Sequence, residues 1–288
     1  MMADEAQLTA GTRVQPGERY GFFTDTTLCI GCKACEVACK EWNLLPAESG
    51  GLTGHSYDNT GALSATTWRH VAFVEHLRSD GAERVTAMQP FQSNWLMLSD
   101  VCKHCARAGC LEACPTGALF RTEFGTVVVQ QDICNGCGYC APACPFGVVE
   151  LDVDDGKAHK CTLCYDRLKG GLEPACAKSC PTDSIQFGVL SELQARAATR
   201  VQDLKSRGVE QVYLYGVDGV DGSPGSTGGI GDLHAFFLLT QRPEVYNLPP
   251  APTLPSRRVR PGLVRGLAAM ASIAVATAAI FWSDTRGA

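Results

Sequence analysis

All sixteen cysteines of this 288-residue chain lie between Cys29 and Cys180. They divide into four groups of four: Cys29, Cys32, Cys35 and Cys39; Cys102, Cys105, Cys110 and Cys114; Cys134, Cys137, Cys140 and Cys144; Cys161, Cys164, Cys176 and Cys180. Catalytic thiols come singly or in pairs, so this number excludes an ordinary thiol enzyme. The first and third groups are spaced C-x2-C-x2-C-x3-C, the run that ligates iron–sulfur clusters in bacterial ferredoxins. The second group widens one gap to x4, and the fourth carries an 11-residue insertion. Pro115, Pro145 and Pro181 follow the last cysteine of three groups, whereas Lys40 follows the first.

The spacing has a geometric reason. Three thiolates on one tight loop grip three corners of a cuboidal 4Fe–4S core. The fourth, on the next helical turn, faces away toward a neighbouring cluster. Proline stops that turn. Gly31, Gly136 and Gly138 allow backbone N–H groups to approach sulfur. Four 4Fe–4S clusters are expected, with all sixteen cysteines as ligands. Zinc sites more often close with two separated C-x2-C pairs, and disulfides tolerate the x2 spacing poorly. An oxidised cluster with its thiolates carries about −2, so loading takes the chain from −5 to about −13. Lys33, Lys40, Lys103, Arg107, Lys160 and Lys178 lie in or beside the groups, and each is expected to be a solvated surface charge.

Other chemistries find little support. His104 sits between Cys102 and Cys105, in a site the cysteines already satisfy, and is expected behind the ligands or at the surface. The other histidines (His55, His70, His76, His159 and His234) fall in no catalytic pattern. No dinucleotide-binding glycine run, P-loop, H-E-x-x-H or G-x-S-x-G occurs, and no catalytic residue is expected. A net charge of −5 argues against nucleic-acid binding. Charged residues make up 19%, below the usual quarter, which suggests a surface covered by a partner or a membrane. The chemistry left is one-electron transfer.

The elements that must position these groups are short. Residues 1–19 form an N-terminal arm, and a four-cluster domain spans 20–190, with an insertion over 43–95. In the insertion, Glu48 to Thr67 reads as a loop, with short strands over Trp68 to Leu77 and Glu83 to Met88. Ala118 to Arg121 and Thr126 to Gln130 form a hairpin turning at Gly125. The segments CPTGALF (114–120), CPFGVVEL (144–151) and CPTDSIQF (180–187) repeat one unit: cysteine, proline, then a short apolar strand. The fold class expected is α+β, with tandem ferredoxin-like modules. An extension over 191–242 begins with a helix reaching about Arg207, introduced by a Ser191–Gln194 capping box with Leu190 as its staple. The runs Val212 to Tyr215 and Ala235 to Thr240 then pair as strands across the glycine-rich loop 216–231. Six prolines between Pro243 and Pro261 indicate a stiff, extended linker.

The C-terminus is apolar. Gly266 to Trp282 contains 17 residues without a charge, reaching roughly 26 Å as a helix against a hydrocarbon core of about 30 Å. A single transmembrane helix over 262–283 is expected, with a short tail at 284–288. Arg257, Arg258, Arg260 and Arg265 precede it and only Arg286 follows, which by charge alone puts the cluster domain on the cytoplasmic side. The first 20 residues carry neither an apolar run nor a twin arginine, so no export signal is expected there. Cysteines without such a signal favour metal ligation over disulfides.

The segments TDTTLCIGCKACEVACKEWN (24–43), CKHCARAGCLEACPTGALF (102–120), CNGCGYCAPACPFGVV (134–149), CTLCYDRLKGGLEPACAKSCPT (161–182) and LHAFFLLTQRPEVYNLP (233–249) together resemble the iron–sulfur (beta) subunit of respiratory formate dehydrogenase. The resemblance implies that the first group pairs with the fourth and the second with the third. One cluster would take Cys29, Cys32, Cys35 and Cys180, and the next Cys39, Cys161, Cys164 and Cys176. A third would take Cys102, Cys105, Cys110 and Cys144, and the last Cys114, Cys134, Cys137 and Cys140. Nitrate reductase relatives carry Trp where Cys137 stands here, so no 3Fe–4S centre is expected. The resemblance further implies electron flow in anaerobic respiration, from a molybdopterin (Mo or W) alpha subunit to a membrane cytochrome b-type gamma subunit and quinone. It favours the extracytoplasmic face, the domain being exported with its partner, against the arginine bias. The cysteine pattern is shared by all four-cluster subunits of molybdopterin oxidoreductases, so a hydrogenase or another such oxidoreductase is the alternative host. A zinc-stapled scaffold is a third.

Overall fold

The aromatic run YGFFTD forms strand β1 (Tyr20–Asp25), buried along its whole length. It lies antiparallel to β8 (Ile185–Val189) and parallel to β10 (Ala235–Leu239), which pairs in turn with β9 (Tyr213–Tyr215). A computed structural model describes residues 14–47, 51, 54, 57–75, 95–209, 211–217 and 230–284.

Alternation along these strands divides the interior in two. Phe23 and Phe236, opposite one another in the register, stack with centroids 5.4 Å apart under helix α6 (Leu190–Ser206). Phe22, Phe187 and Phe237 face the other way, into a core that contains the cysteines. Leu193, Ala197, Val201 and Leu204 recur at helical spacing and bury α6 on the first face.

On the cysteine side the elements are brief. Helices α1 (Ala34–Asn43), α2 (Gly109–Glu112), α3 (Cys140–Ala143), α4 (Tyr165–Lys169) and α5 (Ala175–Lys178) alternate with three two-stranded sheets. These are β2 (Arg69–Glu75) with β3 (Trp95–Val101), β4 (Leu119–Arg121) with β5 (Val127–Val129), and β6 (Glu150–Leu151) with β7 (Ala158–His159). Helix α1 packs on α5 and α2 on α3, which joins the first cysteine group to the fourth and the second to the third. The architecture is mixed helix and strand, and the strand expected within 118–121 pairs with that within 126–130. The strand expected over 83–88 lies outside the described residues, and the partner of β2 is β3.

Two expectations are corrected. No side chain caps α6: Val189 precedes its first residue in extended conformation, and the Leu190 amide donates to the carbonyl of Arg19 at 2.8 Å. A main-chain acceptor thus replaces the Ser191 hydroxyl, and Leu190 is a buried residue of the apolar face. Nor is 243–261 an extended linker. Pro243–Tyr246 is a 3-10 turn, and Tyr246, Leu248 and Leu254 are buried in the cysteine-side core. Apolar side chains between the prolines strap this stretch onto the domain. Helix α7 then starts at Pro255, where the missing N–H is tolerated, and runs to Asp284. The stretch Pro255–Ala278 has a mean hydropathy of 1.4 and is long and apolar enough to cross a membrane. Its Leu263, Leu267, Met270 and Ile273 are all exposed.

Candidate functional site

The same backbone device recurs in every cysteine group. The residue just before the second cysteine is left-handed each time: Gly31 (φ 67°), His104 (φ 43°), Gly136 (φ 71°) and Leu163 (φ 56°). This bends the C-x2-C segment into a tight loop. At Gly31 a Cβ would also meet the tip of the Phe73 ring at 2.7 Å, so any side chain there would have to push that ring aside. His104 and Leu163 adopt this conformation with a side chain, at a cost of about 1–2 kcal/mol each, and both are fully buried in the surrounding core. The repeat after each Cys-Pro is equally regular, because Gly117, Gly147 and Asp183 all have positive φ before β4, β6 and β8. Where Lys40 replaces proline, α1 instead continues to Asn43. The Lys40 ammonium ties the following loop through Pro46 O, Thr66 O and Thr67 Oγ1 at 2.9–3.1 Å.

These loops gather the thiols into quartets of mixed sequence origin. Cys29, Cys32, Cys35 and Cys180 line one cavity with about 290 Å³ of empty space, partly open to solvent. Cys102, Cys105, Cys110 and Cys144 line another of about 320 Å³, and Cys114, Cys134, Cys137 and Cys140 a third of about 300 Å³. Cys39 is surrounded electrostatically by Cys161, Cys176 and Cys164, whose charges add to burial in raising its pKa. No cysteine is in a disulfide. Among the described residues, no three His, Cys, Asp or Glu side chains converge on a point that would hold a single ion. Cavities of this size, each lined by four thiols, have room for a polynuclear core.

The electrostatics fit such a core. Burial pushes the Cys35 thiol up to about 12, against the pull of the Arg69 guanidinium and the Ser99 hydroxyl. Burial likewise pushes Cys161 up to about 12. Thiols in this state keep their protons unless a metal core displaces them. Donors are already placed at sulfur: Leu163 N on Cys161 Sγ at 3.3 Å and Ala158 N on Cys134 Sγ at 3.5 Å.

Two of the lysines expected at the surface are fully buried. Lys103 pairs with Asp100 and stands 5.3 Å from the ring centres of Phe146 and Phe237. Lys160 donates to the carbonyls of Val127 and Cys161. Both have acceptors in place of water, and Lys103 has two aromatic faces as well, a setting a solvated charge does not need. Arg107 and Lys178 are exposed as expected, while Lys33 and Lys40 are half-buried. His104, between Cys102 and Cys105 in sequence, is buried; its Nδ1 accepts the Val127 amide at 3.1 Å, and burial holds its pKa well below the usual range. His70 and His159 bind Asp58 and Asp155, and His234 donates to Tyr20 O. His55 and His76 lie outside the described residues.

The residue that motif reading missed is Arg69. Its Nη2 donates to Cys176 Sγ at 3.1 Å, its Nη1 to Ser99 O and Oγ at 3.3 Å, and it stacks 4.7 Å over the Phe22 ring. Its Nε is buried with no partner among the described residues, a donor that thiolate or inorganic sulfide would satisfy. No cysteine spacing marks this residue; only the fold brings it from β2 to α5.

Comparison with known proteins agrees with this geometry. Two models of a 4Fe–4S dicluster domain match, over residues 28–118 and 93–190. The formate dehydrogenase-O iron–sulfur subunit of Escherichia coli is 39% identical over 270 residues, covering 92% of this chain and 82% of that one. The formate dehydrogenase iron–sulfur subunit of Haemophilus influenzae is 40% identical over 234 residues, covering 80% and 68%. One subunit of the anaerobic dimethyl sulfoxide reductase of Escherichia coli is 35% identical over 178 residues, covering 62% and 77%. With its loops built for 4Fe–4S clusters and its likeness carried through most of its length, the chain belongs to the family of formate dehydrogenase iron–sulfur subunits.

Proposed function

We propose that the chain relays electrons from a molybdopterin catalytic subunit that oxidises formate, through four 4Fe–4S clusters, to a cytochrome b-type membrane subunit and quinone. The four quartets named above are the ligand sets, arranged as two ferredoxin-like modules within residues 20–190. Each cluster supplies one site that accepts and releases a single electron. The chain's own residues hold these sites, shield them from water and offset their charge. The single observation that carries the reading is the mixing of groups: Cys180 closes the cavity of the first group, and Cys144 that of the second.

The ends of the relay follow from exposure. Cys32 and Cys137 are the two exposed cysteines. Ile30 and Val37 stand exposed near the first, Ile133 and Tyr139 near the second. Helix α7 leaves the domain beside α2, where Ser256 Oγ donates to Glu112 at 2.8 Å. This favours the Cys137 end as the membrane-proximal one, with α7 as a single span against the cytochrome b subunit. Likeness to the respiratory family favours the extracytoplasmic face for the domain; protease protection in sealed vesicles tests this.

The deciding experiment is anaerobic purification of the native complex. About 16 iron and 16 acid-labile sulfide per chain are expected, with a molybdopterin protein co-purifying and formate reducing the clusters only in its presence. Iron-free material, or clusters that hydrogen or neither donor reduces, would overturn it. The dimethyl sulfoxide reductase likeness supports a second host. It covers 62% of the chain against 92% for the formate dehydrogenase-O subunit.

A further inference from the structure

Arg69 is 1% exposed, and among the described residues no carboxylate pairs with it. A guanidinium stripped of water and without a carboxylate is held only if other negative charge surrounds it. Its neighbours supply that charge through sulfur. Arg69 Nη2 donates to Cys176 Sγ at 3.1 Å. Arg69 Nη1 donates to Ser99 Oγ at 3.3 Å, leaving that hydroxyl's proton to point at Cys35 Sγ, also at 3.3 Å. One guanidinium and one hydroxyl therefore connect a thiol of the Cys29, Cys32, Cys35 and Cys180 quartet to a thiol of the Cys39, Cys161, Cys164 and Cys176 quartet. Arg69 is fixed in this place by its pairing with Val101 across β2 and β3 and by the Phe22 ring.

We propose that Arg69 is a shared potential-setting residue, whose permanent charge raises the reduction potentials of the two clusters it lies between and whose hydrogen bonds join them through Ser99. This rests on the reading that each of those quartets holds a 4Fe–4S cluster. Reduction adds one electron and one negative charge to a cluster. No bond forms or breaks and no proton moves at Arg69, which stays protonated throughout. A fixed cation in a low-dielectric site stabilises the more negative, reduced form. Because the cation is shared, it shifts both potentials in the same direction. Arg69 touches ligands and not a substrate, so its effect is read in potentials rather than in binding.

The test is an anaerobic redox titration of the native complex, with dithionite as the electron source and electron paramagnetic resonance as the readout. Wild type, Arg69→Gln, Arg69→Lys and Ser99→Ala are compared, with iron counted in each. Arg69→Gln is expected to keep its iron and to lower two of the four potentials, each reduction equilibrium falling at least tenfold, about 59 mV for a one-electron couple. Arg69→Lys, which keeps the charge, is expected to restore most of that loss. Ser99→Ala is expected to lower only one potential, that of the Cys35 quartet, and it decides the matter should Arg69→Gln fail to assemble. Full iron with all four potentials unmoved, or an equal shift in all four, would overturn the proposal while leaving the clusters standing. A wild-type complex without iron would overturn the cluster reading itself.

Discussion

A Cβ placed on Gly136 would stand 2.3 Å from the carbonyl oxygen of Gly156. The loop of the third cysteine group and the turn between β6 and β7 therefore touch through bare backbone. Gly136 is also left-handed, at φ 71°. Gly136→Ala is expected to combine strain of about 1–2 kcal/mol with a main-chain collision that no rotamer relieves. Gly117, at the same φ with open space around its Cβ position, carries the strain alone. Thermal melts of both variants should rank Gly136→Ala well below Gly117→Ala, and iron analysis should find a deficit only in the former. Equal melting temperatures would count against the contact.

Cys35 is buried beside the Ser99 hydroxyl, and its quartet joins residues 29–35 to Cys180. Removing one ligand should loosen the whole module as well as the metal site. Cys35→Ala is expected to lose about four iron per chain and to be recovered poorly with the catalytic subunit. Normal yield with undiminished iron would contradict this.

His234 is buried and donates through Nδ1 to Tyr20 O at 2.8 Å. Burial, helped by Arg121 and Arg19, pulls its pKa down to about 4. The unfolded chain binds this proton near pH 6.5 and the folded chain does not, so stability held above that pH drains away as the pH falls toward 4. The full difference is worth about 3 kcal/mol. Melting temperatures of wild type should fall between pH 7 and 5 more steeply than those of His234→Gln, which has no ring to titrate. Parallel slopes would show that His234 does not carry the effect.

The strap before α7 makes the end of the domain sharp. A chain cut after Leu254 keeps Tyr246, Leu248 and Leu254 buried and should retain its iron while leaving the membrane fraction. A chain cut after Arg242 loses those three side chains, each worth about 1.5–3 kcal/mol of burial, and should be markedly less stable. Fractionation and melting of the two truncations separate anchoring from folding.

The cysteine loops were readable because metal ligation imposes a spacing on the sequence itself. The hairpin at Gly125 and the helix after β8 were readable for a similar reason, as local turn and periodicity rules govern both. What escaped depends on contacts between distant segments. Arg69 reaches a sulfur 107 positions away, and nothing near it in the sequence distinguishes it from a surface arginine. Lys103 and Lys160 looked solvated because what covers them is distant in sequence: the Phe146 and Phe237 rings over Lys103, and the Val127 carbonyl at Lys160. Ser191 reads as a cap, but the carbonyl of Arg19 takes the helix's first amide. Left-handed geometry is plain at Gly31 and Gly136, yet hidden at His104 and Leu163, where only burial shows why a bulky residue accepts it.

The parallel pairing of β1 with β10 brings residues 22–25 beside residues 235–238. A nascent chain leaving the ribosome therefore cannot seat its opening strand until nearly everything else has been made. The first quartet waits in the same way, though less long, for its last thiol, Cys180. Contacts so distant along the chain form slowly. A cofactor seated at that end therefore cannot gain its fourth thiol before Cys180 has left the ribosome.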